Sequence, residues 1–318
     1  MSAEMAEQQG AWNSIEVSPS WGAFPAEQYL LRHWNSSSSS SSADQRQDLI
    51  RAFMRLEIIP REWDTTGREY PPNNNMERVP TADEVREILA PWRPLRWRQA
   101  ALTIWKRRDD EAIWLRTYYR DGDDQFTEWR EIDEDYDPAF DEGSAFWTKL
   151  DDPDMFNFGE NWERFFDILP ELAGPQQVYS RVFGSGYGSN YLDSKRQKLR
   201  DAVARVEDKV EEVEDGLIGT SLQVIAVETY LLLADAKAFE TRKLRVLFLD
   251  AWGNIVRHSR IEPEDIFELR SRWGAAKYRD GEYWLDKKER GEPGGVLGDK
   301  YRARGEMGRS LYGVEDLL

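Results

Sequence analysis

The run Tyr230 to Ala234 is five residues long and apolar without interruption, in a chain of 318 residues of which 32% are charged. A half-buried strand alternates apolar with polar side chains, so an unbroken short run reads as a central strand covered on both faces. A chain holding such a strand must supply a sheet and enough helix to cover it. The neighbouring β-rich runs are Leu222–Ala234, Leu244–Asp250 and Ile255–Ile261, with Trp252-Gly253-Asn254 as a tight turn between the last two. An earlier set, Ala101–Lys106, Ala112–Arg120 and Phe126–Ile132, is separated by Asp109-Asp110 and Gly122-Asp123-Asp124 and reads as a three-stranded meander.

Helical signals frame both sets. Pro25 opens a short helix that reaches Trp34, and Ser42 with Gln45 resembles a capping box ahead of a helix over 43–57. Thr81 with Glu84 is a second box, and Pro91 and Pro94 stop the short helix it opens. Trp162, Phe165, Phe166 and Leu169 mark a helix over 160–169, and Pro263 opens a last one containing Ile266, Phe267, Leu269 and Trp273. Between Asn190 and Asp215, Leu192, Leu199, Val203, Val206, Val210 and Val213 follow steps of three and four interrupted only at Arg196, the mark of a long amphipathic helix. Its stripe reads as core in preference to a homodimer seam.

The fold class expected is therefore α+β: two antiparallel three-stranded β modules, or one combined sheet, packed with helices that include the long one near 190–215. The order helix, three strands, helix occurs at 82–170 and again at 190–274, and two halves of one sheet are favoured over a diverged repeat. The divisions expected are an N-terminal segment 1–35, a serine linker 36–42, a first module 43–174, a Gly-rich hinge 175–189, a second module 190–278 and a tail 279–318.

Charge is the second constraint. The net charge is −17, and residues 109–171 alone hold 21 Asp and Glu against Arg116, Arg120, Arg130, Lys149 and Arg164. Just upstream, Arg86, Arg93, Arg96, Arg98, Lys106, Arg107 and Arg108 face only Glu87. Part of the acidity is thus expected to pair inside the fold, and the remainder to form a recognition face steering a basic protein partner. Direct nucleic-acid binding is disfavoured, because phosphates are held by Lys and Arg. Mimicry of a nucleic acid by carboxylates is a third possibility. No run approaches the roughly 18 apolar residues of a membrane span, and Met1 to Ala11 lacks the basic start and apolar centre of a signal peptide, so a soluble, cytoplasmic chain with no membrane partner is expected.

The instruments of catalysis are few. Zero cysteines remove disulfides, thiolate catalysis and Cys-based zinc sites, and His33 and His258 are the only histidines. Neither G-x-S-x-G nor H-E-x-x-H occurs. Asp133, Asp135, Asp137 and Asp141 echo the alternating ligands of a calcium loop, but Pro138 stands where the sharp turn needs Gly and Ser144 where Glu should close the site. These four are expected to bind a partner rather than a metal, and no cofactor is implied. Gly184-Ser185-Gly186-Tyr187-Gly188-Ser189 departs from phosphate-loop spacing and reads as a hinge. Lys195 and Arg196 stand at the positive end of the long helix, where like charge is unfavourable, so they are expected to meet an anion or the acidic segment. Asn35-Ser36-Ser37 matches a glycosylation acceptor without a secretory context, and the 14 Trp read as core ahead of a glycan-stacking surface. The expected function is a non-enzymatic binding or scaffold protein with an acidic recognition face; the alternative is an enzyme using Asp or Glu in a cleft between the β modules.

Overall fold

The computed structural model describes residues 19–56, 59–66, 78–106, 113–120, 125–135, 148–172, 197, 201, 227, 229–249, 253 and 255–278. The chain divides into two compact units, one of Met1–Lys106 with Glu163–Gly188 and one of Arg107–Trp162 with Ser189–Leu318.

The first unit is helical among the described residues. Helix α1 (Pro25–His33) starts on Pro25, and α2 (Ser42–Met54) is capped by Ser41, whose side chain accepts from the Asp44 N–H. The cap thus falls one residue before the expected Ser42, with an aspartate in the third helical position. Thr81 and Glu84 form both halves of the expected capping box at α3 (Ala82–Glu84), which passes into a π-turn, Val85–Leu89. Arg46 from α2 donates to the Ile88 carbonyl at 2.9 Å and to that of Glu87 at 3.1 Å, satisfying carbonyls that the end of this helix leaves open. Leu30, Leu31, Ile50, Phe53, Ile59, Ile88, Leu89 and Trp92 form the core between these elements.

Helix α4 (Leu95–Lys106) occupies the place of the first expected strand. Trp97, Arg98, Ala101, Ile104 and Trp105 are its buried residues, a 3.6-residue spacing in which Ile104 beside Trp105 breaks the alternation a half-buried strand would show. Among the described residues of this unit, two ion pairs are fully buried. Arg98 grips Glu27, with Nε to Oε1 at 2.6 Å and Nη2 to Oε2 at 3.0 Å, and Arg93 grips Glu171 at 2.8 and 3.0 Å. Both arginine side chains are 0% exposed. The two guanidinium groups flank the Phe24 ring at 5.1 and 5.2 Å, and each also lies over an indole, Arg93 on Trp92 at 4.2 Å and Arg98 on Trp21 at 4.4 Å. Delocalised cations stacked on rings and held bidentately are the form in which a charge is least costly to bury.

The second unit holds a single five-stranded sheet in the order β2-β1-β3-β4-β5, with strands Ile113–Arg116, Thr148–Leu150, Thr229–Ala234, Leu244–Leu249 and Ile255–Ile261 numbered along the chain. Strand β1 pairs in parallel with both β2 and β3, whereas β3–β4 and β4–β5 are antiparallel. The α+β class stands, but the two antiparallel modules do not: the strands join one mixed sheet. Of the expected meander, only the middle run contains a strand. Phe126–Ile132 lies in helix α5 (Gln125–Asp135), because Phe126 and Trp129, three apart, are its buried residues. The helix, three strands, helix order therefore does not repeat.

Tyr230–Ala234 is the doubly covered strand expected: every residue of β3 is buried, as is every residue of β1. On one face, Phe126 and Trp129 of α5, Ala238 and Phe239 of α7 (Ala236–Thr241), and Ile266, Leu269 and Trp273 of α8 (Ile266–Tyr278) pack with Trp114, Leu232, Val246 and Phe248. Between α5 and α7 in sequence lies the short helix α6 (Pro153–Phe156), which follows β2. Gly253 adopts φ of 77° in the β4–β5 turn, a left-handed conformation in which glycine carries no Cβ penalty. Among the described residues no helix is long and apolar enough to cross a membrane.

Candidate functional site

Charged and polar groups of the second unit gather where the parallel strands end. After β1 the chain leaves toward β2, and after β3 it leaves toward β4 on the other side, so the two connections diverge at the carboxyl ends of adjacent parallel strands. Open α/β sheets place ligands at such points. The groups present are Arg116 at the end of β1, Asp151 and Asp152 directly after β2, and Asp235 directly after β3.

Arg116 is held over the rings of Tyr119 at 4.6 Å, Phe239 at 5.1 Å and Phe126 at 5.9 Å, and its Nε donates to the Tyr118 carbonyl at 3.0 Å. Asp151 lies between two cations, 3.3 Å from Lys149 Nζ and 3.8 Å from Arg116 Nη1. Asp152 is buried and caps α6, accepting from the Asp154 N–H at 2.9 Å. Tyr119 ties the two strand ends: its hydroxyl donates to the Arg116 carbonyl at 3.1 Å and accepts from the Asp152 N–H at 2.8 Å. Burial, and then the Asp151 charge, hold the Tyr119 phenol well above its ordinary range, outweighing the Asp152 N–H and the Arg116 charge. It works as a neutral hydroxyl. The Thr117 carbonyl accepts from the Gly159 N–H at 2.9 Å, and Gly159 has φ of 58°.

Asp235 caps α7, its Oδ1 accepting from the Ala238 N–H at 2.9 Å and from Arg260 Nη1 at 3.0 Å, with Arg260 Nη2 to Oδ2 at 2.5 Å. At the strand ends these groups are thus paired with one another through cap, ion pair and hydroxyl bridge.

The acidic segment divides. Glu171 pairs with Arg93, and Asp167 accepts from Gln47 at 2.6 Å and from Arg51 at 3.3 Å, all within the first unit. Arg93 with Glu171 realises the expected pairing of the basic stretch with the acidic one, whereas Arg98 and Arg86 find Glu27 and Asp83 elsewhere. Within the second unit, Glu128, Glu131, Asp154 and Glu160 are exposed. Asp133 and Asp135 lie on the last turn of α5; Asp137 and Asp141 fall outside the described residues, as do Lys195, Arg196 and the Gly184–Ser189 loop. Of the long helix, only Gln197 and Asp201 are described, joined side chain to side chain at 2.7 Å with helical spacing. Among the described residues no group of three or more His, Asp or Glu is placed to hold a metal ion.

In the sequence the strand-end residues register only as members of a charge count. Only Asp235 carries a positional signal, because it comes directly after the apolar run Tyr230–Ala234. No family model, no curated protein and no solved structure matches this chain.

Proposed function

We propose that this chain is a non-enzymatic binding protein that offers the acidic face of α5 to a basic protein partner. The observation carrying this reading is how α5 is mounted. Phe126 and Trp129 fix it to the core, Trp129 against Phe239 at 5.1 Å and Phe126 edge-on to Trp114 at 5.9 Å, while Glu128 and Glu131 face solvent. The helix carries Glu128, Glu131, Asp133, Glu134 and Asp135 against Arg130 alone. Carboxylates on a fixed helix form a pre-organised surface, and fields of this kind steer association more than they set affinity. The engagement of the strand-end groups supports binding over the alternative, an enzyme using Asp or Glu, for which Asp151 and Asp152 are the residues in reach.

Capture on immobilised protein at low and high salt tests the reading. A partner recovered at low salt, released as the Debye length falls from about 10 Å toward 3 Å, and lost with Glu128→Lys plus Glu131→Lys is the expected result. Recovery indifferent to salt and to both charge reversals refutes it. Asp133→Asn with Asp135→Asn and Asp137→Asn extends the test beyond the helix.

A further inference from the structure

The seven serines Ser36–Ser42, expected as a loose linker, form a closed turn between α1 and α2. Asn35 organises it: its side-chain oxygen accepts from the Ser37 N–H at 3.0 Å and its carbonyl from the Ser38 N–H at 3.0 Å. Gln45 closes the loop by accepting from the Asn35 N–H at 2.7 Å and donating to its carbonyl at 3.1 Å. Every one of these side-chain bonds is exposed, and no serine of the run is buried. A segment held only by exposed hydrogen bonds, with no side chain in the core, opens locally at small cost and can lie extended in another protein's cleft. Ser41 is already extended, at φ −61° and ψ 152°.

We propose that Ser41 is a phosphoacceptor for a protein kinase that reads an acidic residue three positions after the serine. Asp44 supplies that residue, and the chain's net charge of −17 favours encounter with a kinase whose substrate groove is basic. In the transfer, Ser41 Oγ forms a bond to the terminal phosphorus of a nucleoside triphosphate as the bond to the bridging oxygen breaks. The nucleoside diphosphate leaves, and the hydroxyl proton passes to the kinase's base.

The modification reverses a contact on which α2 begins. Ser41 Oγ now donates to Asp44 Oδ2 at 2.6 Å and accepts from the Asp44 N–H at 3.1 Å. A phosphoryl group removes the donated proton and sets about −1.5 to −2 charges beside that carboxylate. The first turn of α2 and the Gln45 clasp on Asn35 are then rebuilt, because the Asp44 carboxylate is repelled while the open N–H groups at the helix start attract the phosphoryl group.

The test incubates the full chain with ATP and an acid-directed Ser/Thr kinase, with site mapping by mass spectrometry and amide hydrogen exchange before and after. The expected result is one phosphoryl group at Ser41, none there in Ser41→Ala, retention in Ser41→Thr, and incorporation slowed about tenfold in Asp44→Asn. Exchange at residues 43–45 changes only in the modified chain. No incorporation by a kinase active on a control peptide, incorporation unchanged in Ser41→Ala, or unchanged exchange after stoichiometric transfer each overturns the proposal.

Discussion

Arg98→Met tests how the first unit holds its buried charge. The substitution keeps the length of the stem but removes a guanidinium that meets Glu27 at 2.6 and 3.0 Å, the Ser20 carbonyl at 2.7 Å, and the Trp21 and Phe24 rings. Glu27, itself fully buried, keeps among the described residues the Gly22 N–H at 2.6 Å. Stranding one partner of a buried pair costs about 3–5 kcal/mol, and lost stacking on two rings adds about 1 kcal/mol or more. Adding Glu27→Leu removes the orphan and is expected to recover most of the loss, since an apolar replacement of a whole pair is often neutral or better. Urea unfolding followed by tryptophan fluorescence reads both quantities. A single-variant loss below about 1 kcal/mol, or a double variant no better than the sum of its singles, refutes the reasoning.

Four further outcomes are expected. Thr81→Ala, which removes the side-chain half of the capping box at α3 and leaves the backbone N–H of residue 81 bonded to Glu84, lowers unfolding free energy by about 1 kcal/mol in urea melts. Trp129→Ala costs about 3–5 kcal/mol by opening the core beneath α5, whereas Glu131→Ala on the exposed side of the same helix stays within about 0.5 kcal/mol. Because the Tyr119 phenol is held above its ordinary range, its stabilising share is complete below about pH 10 and declines as pH rises beyond it. Alkaline melts of Tyr119→Phe should thus show a lower starting stability and a shallower decline than the parent. Gly159→Ala meets no atom within 4 Å but must adopt φ of 58°, so its cost is the backbone term alone, about 1–2 kcal/mol in the same denaturation assay.

Local signals carried the parts of the fold that depend on few residues. Pro25, the Thr81–Glu84 box, the β4–β5 hairpin around Gly253 and the opening of α8 after Pro263 each sit where sequence placed them. Ala101–Lys106 and Phe126–Ile132 failed because short apolar runs fit both periods, and tertiary burial of Trp105 and Trp129 decided for helix. The parallel pairing of β1 with β3 had no local signal, since Ile113 meets Leu231 across more intervening chain than any turn can encode. The strand-end cluster was illegible for the same reason: Asp151 reaches Arg116 through the parallel pairing of β1 with β2, and Asp235 follows the residue beside Arg116 only once β1 pairs with β3. The buried ion pairs were half legible. Opposite charge blocks forecast that part of the acidity pairs inside the fold, but nothing in the composition singled out Glu171 for Arg93 or Glu27 for Arg98.

The placement of β1 between β2 and β3 bears on how the chain is made. A ribosome delivers Ile113–Arg116 and its partner Thr148–Leu150 long before Thr229–Ala234 emerges. Until then one edge of β1 lacks the strand that completes it, and Trp114 and Leu115 lack the neighbours that bury them in the finished protein. The first unit has the same delay on a smaller scale, because Arg93 waits for Glu171. Late, non-local closure of this kind makes folding slow and leaves a sticky intermediate during synthesis. Yield in a cell should therefore respond to translation speed and to chaperone supply more than the stability of the finished protein would indicate.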